Sequence, residues 1–233
     1  TAIRDGLARF DAVTGPTYRG EHTDRNALLP THGGTVKPTA RYPAGMAAGI
    51  ASDERDVLLV GFEALVDLDA EFVARSLAEG GVPFEVRSAT TRFPLDFPPD
   101  ATLTRYARAL DADEDGVREQ LARRVATHHD GEARIGLPAV LGLKNARAVR
   151  EHLETRLNAD VFEVPTGRPS VPGLRLENQL RAALDDAGVA VVGNEVVEYE
   201  RTGDRIEAVS VSRNDQEIRY TASQFVLATG GLV

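Results

Sequence analysis

Between Val57 and Val164, short apolar runs alternate with helical patterns, and this rhythm restricts the possible folds more than any other feature of the chain. Val57 to Val60 is an unbroken apolar run closed by Gly61. Asp69 to Ala78 then reads as a helix through Phe72, Val73, Leu77 and Ala78, and Gly80-Gly81 is its stop signal. Further strands are expected over Val82–Val86, Arg134–Val140 (limited by Pro138) and Asp160–Val164. Helices are expected over 101–127, with a break near Asp111, and over Asn145–Asn158, where Val149, Leu153 and Leu157 align. Strands joined through helices of this length pair in parallel, so residues 56–164 are expected to form a layered α/β unit.

The flanks have a different character. Residues 1–13 suit a short helix with Ile3, Leu7 and Phe10 on one face. Residues 26–45 read as two extended pieces around Gly33-Gly34, because Pro30, Pro38 and Pro43 exclude a helix. Ser52 to Asp56 is a polar break. On the other side, Leu174 to Ala187 is expected to be an amphipathic helix with Leu176, Leu180, Ala183, Leu184 and Ala187 on one stripe. Strands are expected over 189–192, 195–200, 206–211 and 217–220, separated by Gly193-Asn194, Thr202-Gly203-Asp204 and Arg213-Asn214-Asp215. They form a β-meander leading into a last apolar run, Phe225 to Ala228, followed by Thr229-Gly230-Gly231.

Composition excludes several functions. The net charge of −9 argues against nucleic-acid binding, which rests on basic patches. With no cysteine, the chain supplies neither disulfides nor thiolate ligands for zinc or iron–sulfur clusters. No apolar run reaches the roughly 18 residues of a membrane span. Of the 27 basic residues, all but Lys37 and Lys144 are arginine, against 36 acidic ones. Such an acidic, lysine-poor surface suits a salt-adapted organism, although GC-rich codon usage gives the same bias.

Candidate motifs are few. Asp111 to Gly116, "DADEDG", opens like a calcium loop, but Arg118 and Ala122 stand where an apolar residue and a bidentate glutamate are needed. An acidic helix start explains the run through the helix dipole. His128-His129 are adjacent and point apart, so no metal site is read there, and His32 lies in a polar loop. The glycine fingerprint of a dinucleotide cradle is absent, as is a GxSxG nucleophile elbow. In "PTGRPSVPGLRLENQL", residues 165–180, Arg168 and Arg175 suit either an anionic ligand or, for Arg175, a structural place at a helix start.

Four stretches carry a family resemblance: "LPTHGGTVKPTARYPAG", "DVLLVGFEALVDLDAEFVARSLAEGG", "DVFEVPTGRPSVPGLRLENQLRAAL" and "FVLATGGLV". Together they resemble the B subunits of anaerobic glycerol-3-phosphate dehydrogenase. The last is general to two-dinucleotide flavoproteins, whereas "PSVPGLRLENQL" is the most specific. The resemblance implies a central portion of such a protein, with residues 1–55 on the cap or substrate side, 56–164 an inserted α/β domain, and 165–233 part of the flavin domain. It implies FMN or FAD as cofactor and oxidation of sn-glycerol 3-phosphate to dihydroxyacetone phosphate, with electrons passed to quinone. Activity is then expected of the full complex rather than of this chain alone.

The implied partners are the family's catalytic A subunit and a membrane-anchoring iron–sulfur protein at the cytoplasmic face. The implied cofactor-side residues are Thr31, Gly34, Thr35, Arg175, Ala228, Thr229, Gly230 and Gly231. Two alternatives stay open: a flavin reductase of the fumarate-reductase or ketosteroid-dehydrogenase type, and a non-catalytic assembly module of the same complex.

Overall fold

A computed structural model describes residues 2–20, 25–98, 100–213 and 216–228. The chain divides into two compact units, Thr1–Ala183 and Leu184–Val233. The first begins with α1 (Ala2–Thr14), a 3-10 turn (Gly15–Thr17) and four short strands: β1 (Tyr18–Arg19), β2 (Ala27–Pro30), β3 (Val36–Thr39) and β4 (Tyr42–Pro43). A second 3-10 segment, Ala44–Gly49, leads to β5 (Val57–Phe62). The two extended pieces read from the sequence are the β2–β3 hairpin, and β1 pairs with β4.

The centre follows as α2 (Ala70–Glu79), β6 (Val86–Thr91), α3 (Leu103–Ala112), a 3-10 turn (Glu114–Gly116), α4 (Val117–Ala126), β7 (Arg134–Pro138), α5 (Ala146–Leu157) and β8 (Asp160–Val164). The four central strands form one parallel sheet in the order β6-β5-β7-β8. All six residues of β5 and all five of β7 are buried, as expected of strands covered on both faces. The core combines Leu58, Leu59, Ile135, Leu137 and Phe162 of the sheet with Val73, Leu77, Leu121, Val149 and Leu153 of the helices. Gly136 has no room for a side chain, because a Cβ there would run into Leu59 and Phe162.

The expected strand over Val82–Val86 is corrected to Val86–Thr91. Pro83 offers no N–H to a ladder, and pairing with Val57 begins only at Val86. The strand continues through the polar run Arg87-Ser88 because this is the sheet edge, where alternate residues stay partly exposed.

A fully buried arginine joins this sheet to the segment before it. Arg134 is 0% exposed and donates to the carbonyls of Ala48, Ile50, Asp53 and Arg55. Its guanidinium also lies over the Phe84 ring, 4.4 Å from the centroid. Hydrogen bonds from Arg55, helped by the Arg134 charge, hold the Asp53 carboxyl down at about 2. Residues 44–55 are thereby held against the β7 side of the sheet through backbone groups rather than through side-chain packing alone.

α6 (Val171–Asp186) starts three residues earlier than its apolar stripe suggests. Ser170 accepts the N–H of Gly173 through its hydroxyl and that of Leu174 through its carbonyl, and Pro172 is tolerated in a first turn. The stripe itself is not buried at Leu180 and Leu184, which are 37% and 39% exposed. The buried residues of the helix are Val171 and Pro172.

The second unit is the meander β9 (Val196–Thr202), β10 (Arg205–Arg213) and β11 (Gln216–Thr221), antiparallel in the order β11-β10-β9. Gly203, at φ +60°, makes the first turn. The strands expected over Val189–Val192 and Phe225–Ala228 do not form. Their β-prone residues find no ladder partner, and Val191, Val192, Val226 and Leu227 remain exposed. The expected fold class, a layered mostly parallel α/β unit plus an antiparallel meander, is borne out.

Replacing Arg134 by Met should keep the volume but leave four carbonyls without their donor. Urea unfolding should then show a loss of about 3 kcal/mol or more, while an unchanged midpoint would mean these carbonyls find other donors.

Candidate functional site

Beyond the C-terminal ends of β7 and β8 the first unit opens into a cavity of about 950 Å³. Openings at this end of a parallel sheet are where α/β proteins bind ligands, because the strands deliver loops there and the helices begin there. One wall is the loop after β7 and the start of α5, from Leu141 to Arg150. A second is α6, through Pro172, Arg175, Leu176, Asn178 and Gln179. Pro16 to Arg19 and Pro43 to Gly45 complete it.

Glu163 of β8 stands where these walls meet. It is 2% exposed, yet every acceptor is used: Oε1 takes the Leu141 N–H at 3.0 Å and Nη2 of Arg175 at 2.8 Å, and Oε2 takes Nη1 at 2.6 Å. Arg175 also donates through Nε to the Gly142 carbonyl at 2.7 Å. A two-point guanidinium–carboxylate pair fixes both direction and distance, so α6 and the loop after β7 are locked onto β8. Gly45 packs over the same carboxylate, and a Cβ there would lie 2.8 Å from Oε2.

The opposite side is held by Gln179, whose amide donates to the Thr14 carbonyl at 2.8 Å and accepts the Thr17 hydroxyl at 2.7 Å. Tyr18 lies between, and burial pushes its phenol up while nearby Arg175 opposes the shift. At neutral pH it therefore keeps its proton.

Carboxylates brace α2 and the turn that leads into α5. Asp111 accepts the N–H groups of Leu143, Lys144 and Asn145, each at 2.8 Å, and so braces the turn that leads into α5. Asp69 caps α2 through the Phe72 N–H at 3.0 Å. A dinucleotide's diphosphate needs open backbone donors after a glycine turn, and the glycine fingerprint precedes neither α2 nor α5. The "DADEDG" run is thus explained without calcium: Asp111 braces the turn before α5, and Asp113 accepts the Arg118 N–H.

The cofactor-side residues expected from the sequence fall in different places. Arg175 lines the cavity, but its guanidinium is committed to Glu163 and Gly142. Thr31, Gly34 and Thr35 form the β2–β3 turn, closed by the Thr31 N–H to Thr35 carbonyl bond at 2.8 Å and by contact between their hydroxyls at 3.0 Å. Gly34 packs on Ser76 of α2, and this turn does not line the cavity. Ala228 is exposed, and Thr229, Gly230 and Gly231 lie outside the described residues.

Sequence reasoning missed Glu163, Tyr18 and, apart from Arg175, the cations of the cavity, and it read Asp111 only as part of an acidic helix start. A glutamate inside the apolar run Asp160–Val164 was the available signal, since a buried strand carboxylate requires a partner.

A double-mutant cycle should resolve the pair. Glu163→Gln is expected to destabilise by about 3 kcal/mol, and by clearly less in an Arg175→Met background, measured by urea unfolding. Strictly additive effects would mean that the two side chains do not hold each other.

The FAD binding domain model matches residues 1–233. The chain is 52% identical over 240 residues to the probable B subunit of anaerobic glycerol-3-phosphate dehydrogenase from Halobacterium salinarum, covering 99% of this chain and 56% of that protein. It is 31% identical over 217 residues to the B subunit of anaerobic glycerol-3-phosphate dehydrogenase from Yersinia enterocolitica, covering 88% of this chain and 49% of that protein. The chain thus spans about half the length of these relatives. The resemblance read from four sequence stretches is matched by the names these relatives bear, and the chain belongs to the FAD binding domain family.

Proposed function

We propose that this chain is part of a flavin-dependent dehydrogenase subunit that oxidises sn-glycerol 3-phosphate to dihydroxyacetone phosphate and passes the electrons to quinone. The single observation that carries the reading is a cation-rich cavity in a chain of the FAD binding domain family. Five cationic side chains, Arg19, Lys144, Arg147, Arg150 and Arg175, line it against two acidic ones, Glu151 and Glu163, although the chain as a whole carries −9. An anionic substrate matches that charge, and the relatives' names supply its identity.

FMN or FAD would supply the two-electron chemistry. The chain's own residues would bind and orient the anion: the Glu163–Arg175 pair keeps the walls in place, and the protonated Tyr18 hydroxyl offers a hydrogen bond. Residues 1–55 would serve the cap side, 56–164 would be an inserted domain, and 165–233 would belong to the flavin domain, with Thr31, Gly34, Thr35 and 228–231 facing the cofactor. The protein would work with a catalytic A subunit and an iron–sulfur anchor at the cytoplasmic face of the membrane. Among the described residues no helix is long and apolar enough to cross a membrane, so this reading leaves the anchoring to a partner.

The test is anaerobic addition of sn-glycerol 3-phosphate to the assembled, flavin-loaded complex. The flavin's visible absorption should bleach with glycerol 3-phosphate and not with glycerol. In the same complex Arg175→Met should lower kcat/KM about tenfold or more. A flavin that dithionite reduces but glycerol 3-phosphate does not would refute the reading.

A further inference from the structure

We propose that Arg19 and Lys144, assisted by Arg147, form a recognition site for the phosphate group of a small phosphomonoester whose uncharged body lies against the cavity's apolar wall. Two of the cavity's cations are already neutralised. Arg175 is bound to Glu163, and Arg150 to Glu154 at 2.5 Å. Arg147 meets Glu151 only at 3.5 Å, between side chains that are 80% and 55% exposed. Arg19 and Lys144 have no carboxylate or hydrogen-bond acceptor among the described residues. Among the described residues unpaired cations also occur elsewhere on the chain, as at Arg75 and Arg108, but Arg19 and Lys144 share one cavity with an apolar wall.

Their positions are also fixed from below. Lys144 sits in the turn whose N–H groups bind Asp111, so its backbone cannot drift. Arg19 follows Tyr18, whose strand is paired with Tyr42–Pro43. Between them the wall is apolar, through Leu141, Leu143 and Leu176. A dianion at the cationic side and an uncharged body on the leucines satisfy both halves of the cavity. A carboxylate would neutralise only one of the two free cations, which favours phosphate.

The inference rests on the proposed function only in taking this cavity as a ligand site. The shared phosphate chemistry has two sources, a phosphorylated substrate or a flavin phosphate, and the experiment separates them. Isothermal titration of the full-length protein would use two pairs of probes: glycerol 3-phosphate against glycerol, and FMN against riboflavin. Arg19→Gln/Lys144→Gln should weaken one phosphorylated probe about tenfold or more and leave its unphosphorylated counterpart unchanged. Lys37→Gln, which removes the other lysine from β3, should change none of the four.

Loss of glycerol 3-phosphate binding with FMN intact identifies the substrate phosphate, and the reverse identifies the flavin phosphate. Equal weakening of both members of a pair, or no change in either phosphorylated probe despite unaltered melting, overturns the site. Rim-dependent phosphate binding in a complex whose flavin is not reduced by glycerol 3-phosphate would keep the site and reject the dehydrogenase reading.

Discussion

A carboxylate buried on a strand of a parallel sheet has few ways to be stable, and Glu163 takes nearly all of them. At 2% exposure it must surrender its hydration, and an isolated charge in that position would cost several kcal/mol. The Arg175 fork and the Leu141 N–H replace the lost water. The consequence is geometric. One side chain fixes the loop after β7 through Leu141, α6 through Arg175, and the 43–45 segment through the close approach of Gly45. The cavity exists because these pieces are tied at one point and are kept from collapsing onto each other.

Arg134 does the corresponding work at the start of β7, toward the other end of the sheet. It reaches four carbonyls in residues 48–55, so the irregular segment before β5 is held by hydrogen bonds where it has little apolar surface to bury. The same economy appears at the helix starts. Asp69 caps α2, and Asp111 gathers the N–H groups of the turn before α5. The sheet therefore acts as a scaffold, and the positive charge at its end is carried by side chains of β1, of α5 and of the turn before α5 that line the cavity. Within 56–164, the large apolar side chains exposed among the described residues are Val66 and Phe72, a small area for a purely assembly-directed surface.

Much of this architecture could be read from the chain. β5, α2, α5 and β8 were legible because burial on both faces demands unbroken apolar runs, and helices demand the 3.6-residue stripe. The edge strand β6 was misplaced because its polar residues satisfy neither rule. The runs Val189–Val192 and Phe225–Ala228 show the opposite failure, since β-prone residues predict a strand only where a ladder is offered. In the site, Arg175 was visible through the "PSVPGLRLENQL" stretch, but its partner was not. Pairings such as Glu163 with Arg175, 12 residues apart, or Asp111 with Asn145, 34 apart, depend on how the βα units stack. Local pattern carries no trace of them. The cationic side of the cavity was hidden for the same reason, because Arg19 and Lys144 are ordinary surface residues until the fold brings both to one cavity.

The central claim is that ligand recognition in this chain occurs at the cavity beyond β7 and β8. Hydrogen–deuterium exchange on the full-length protein, with and without saturating glycerol 3-phosphate, tests it directly. The account predicts slowed exchange in residues 16–19 and 141–150, the segments that carry Arg19, Lys144 and Arg147. Protection confined to the Thr31–Thr35 turn or to the β9–β11 meander, with 141–150 unchanged, would contradict it.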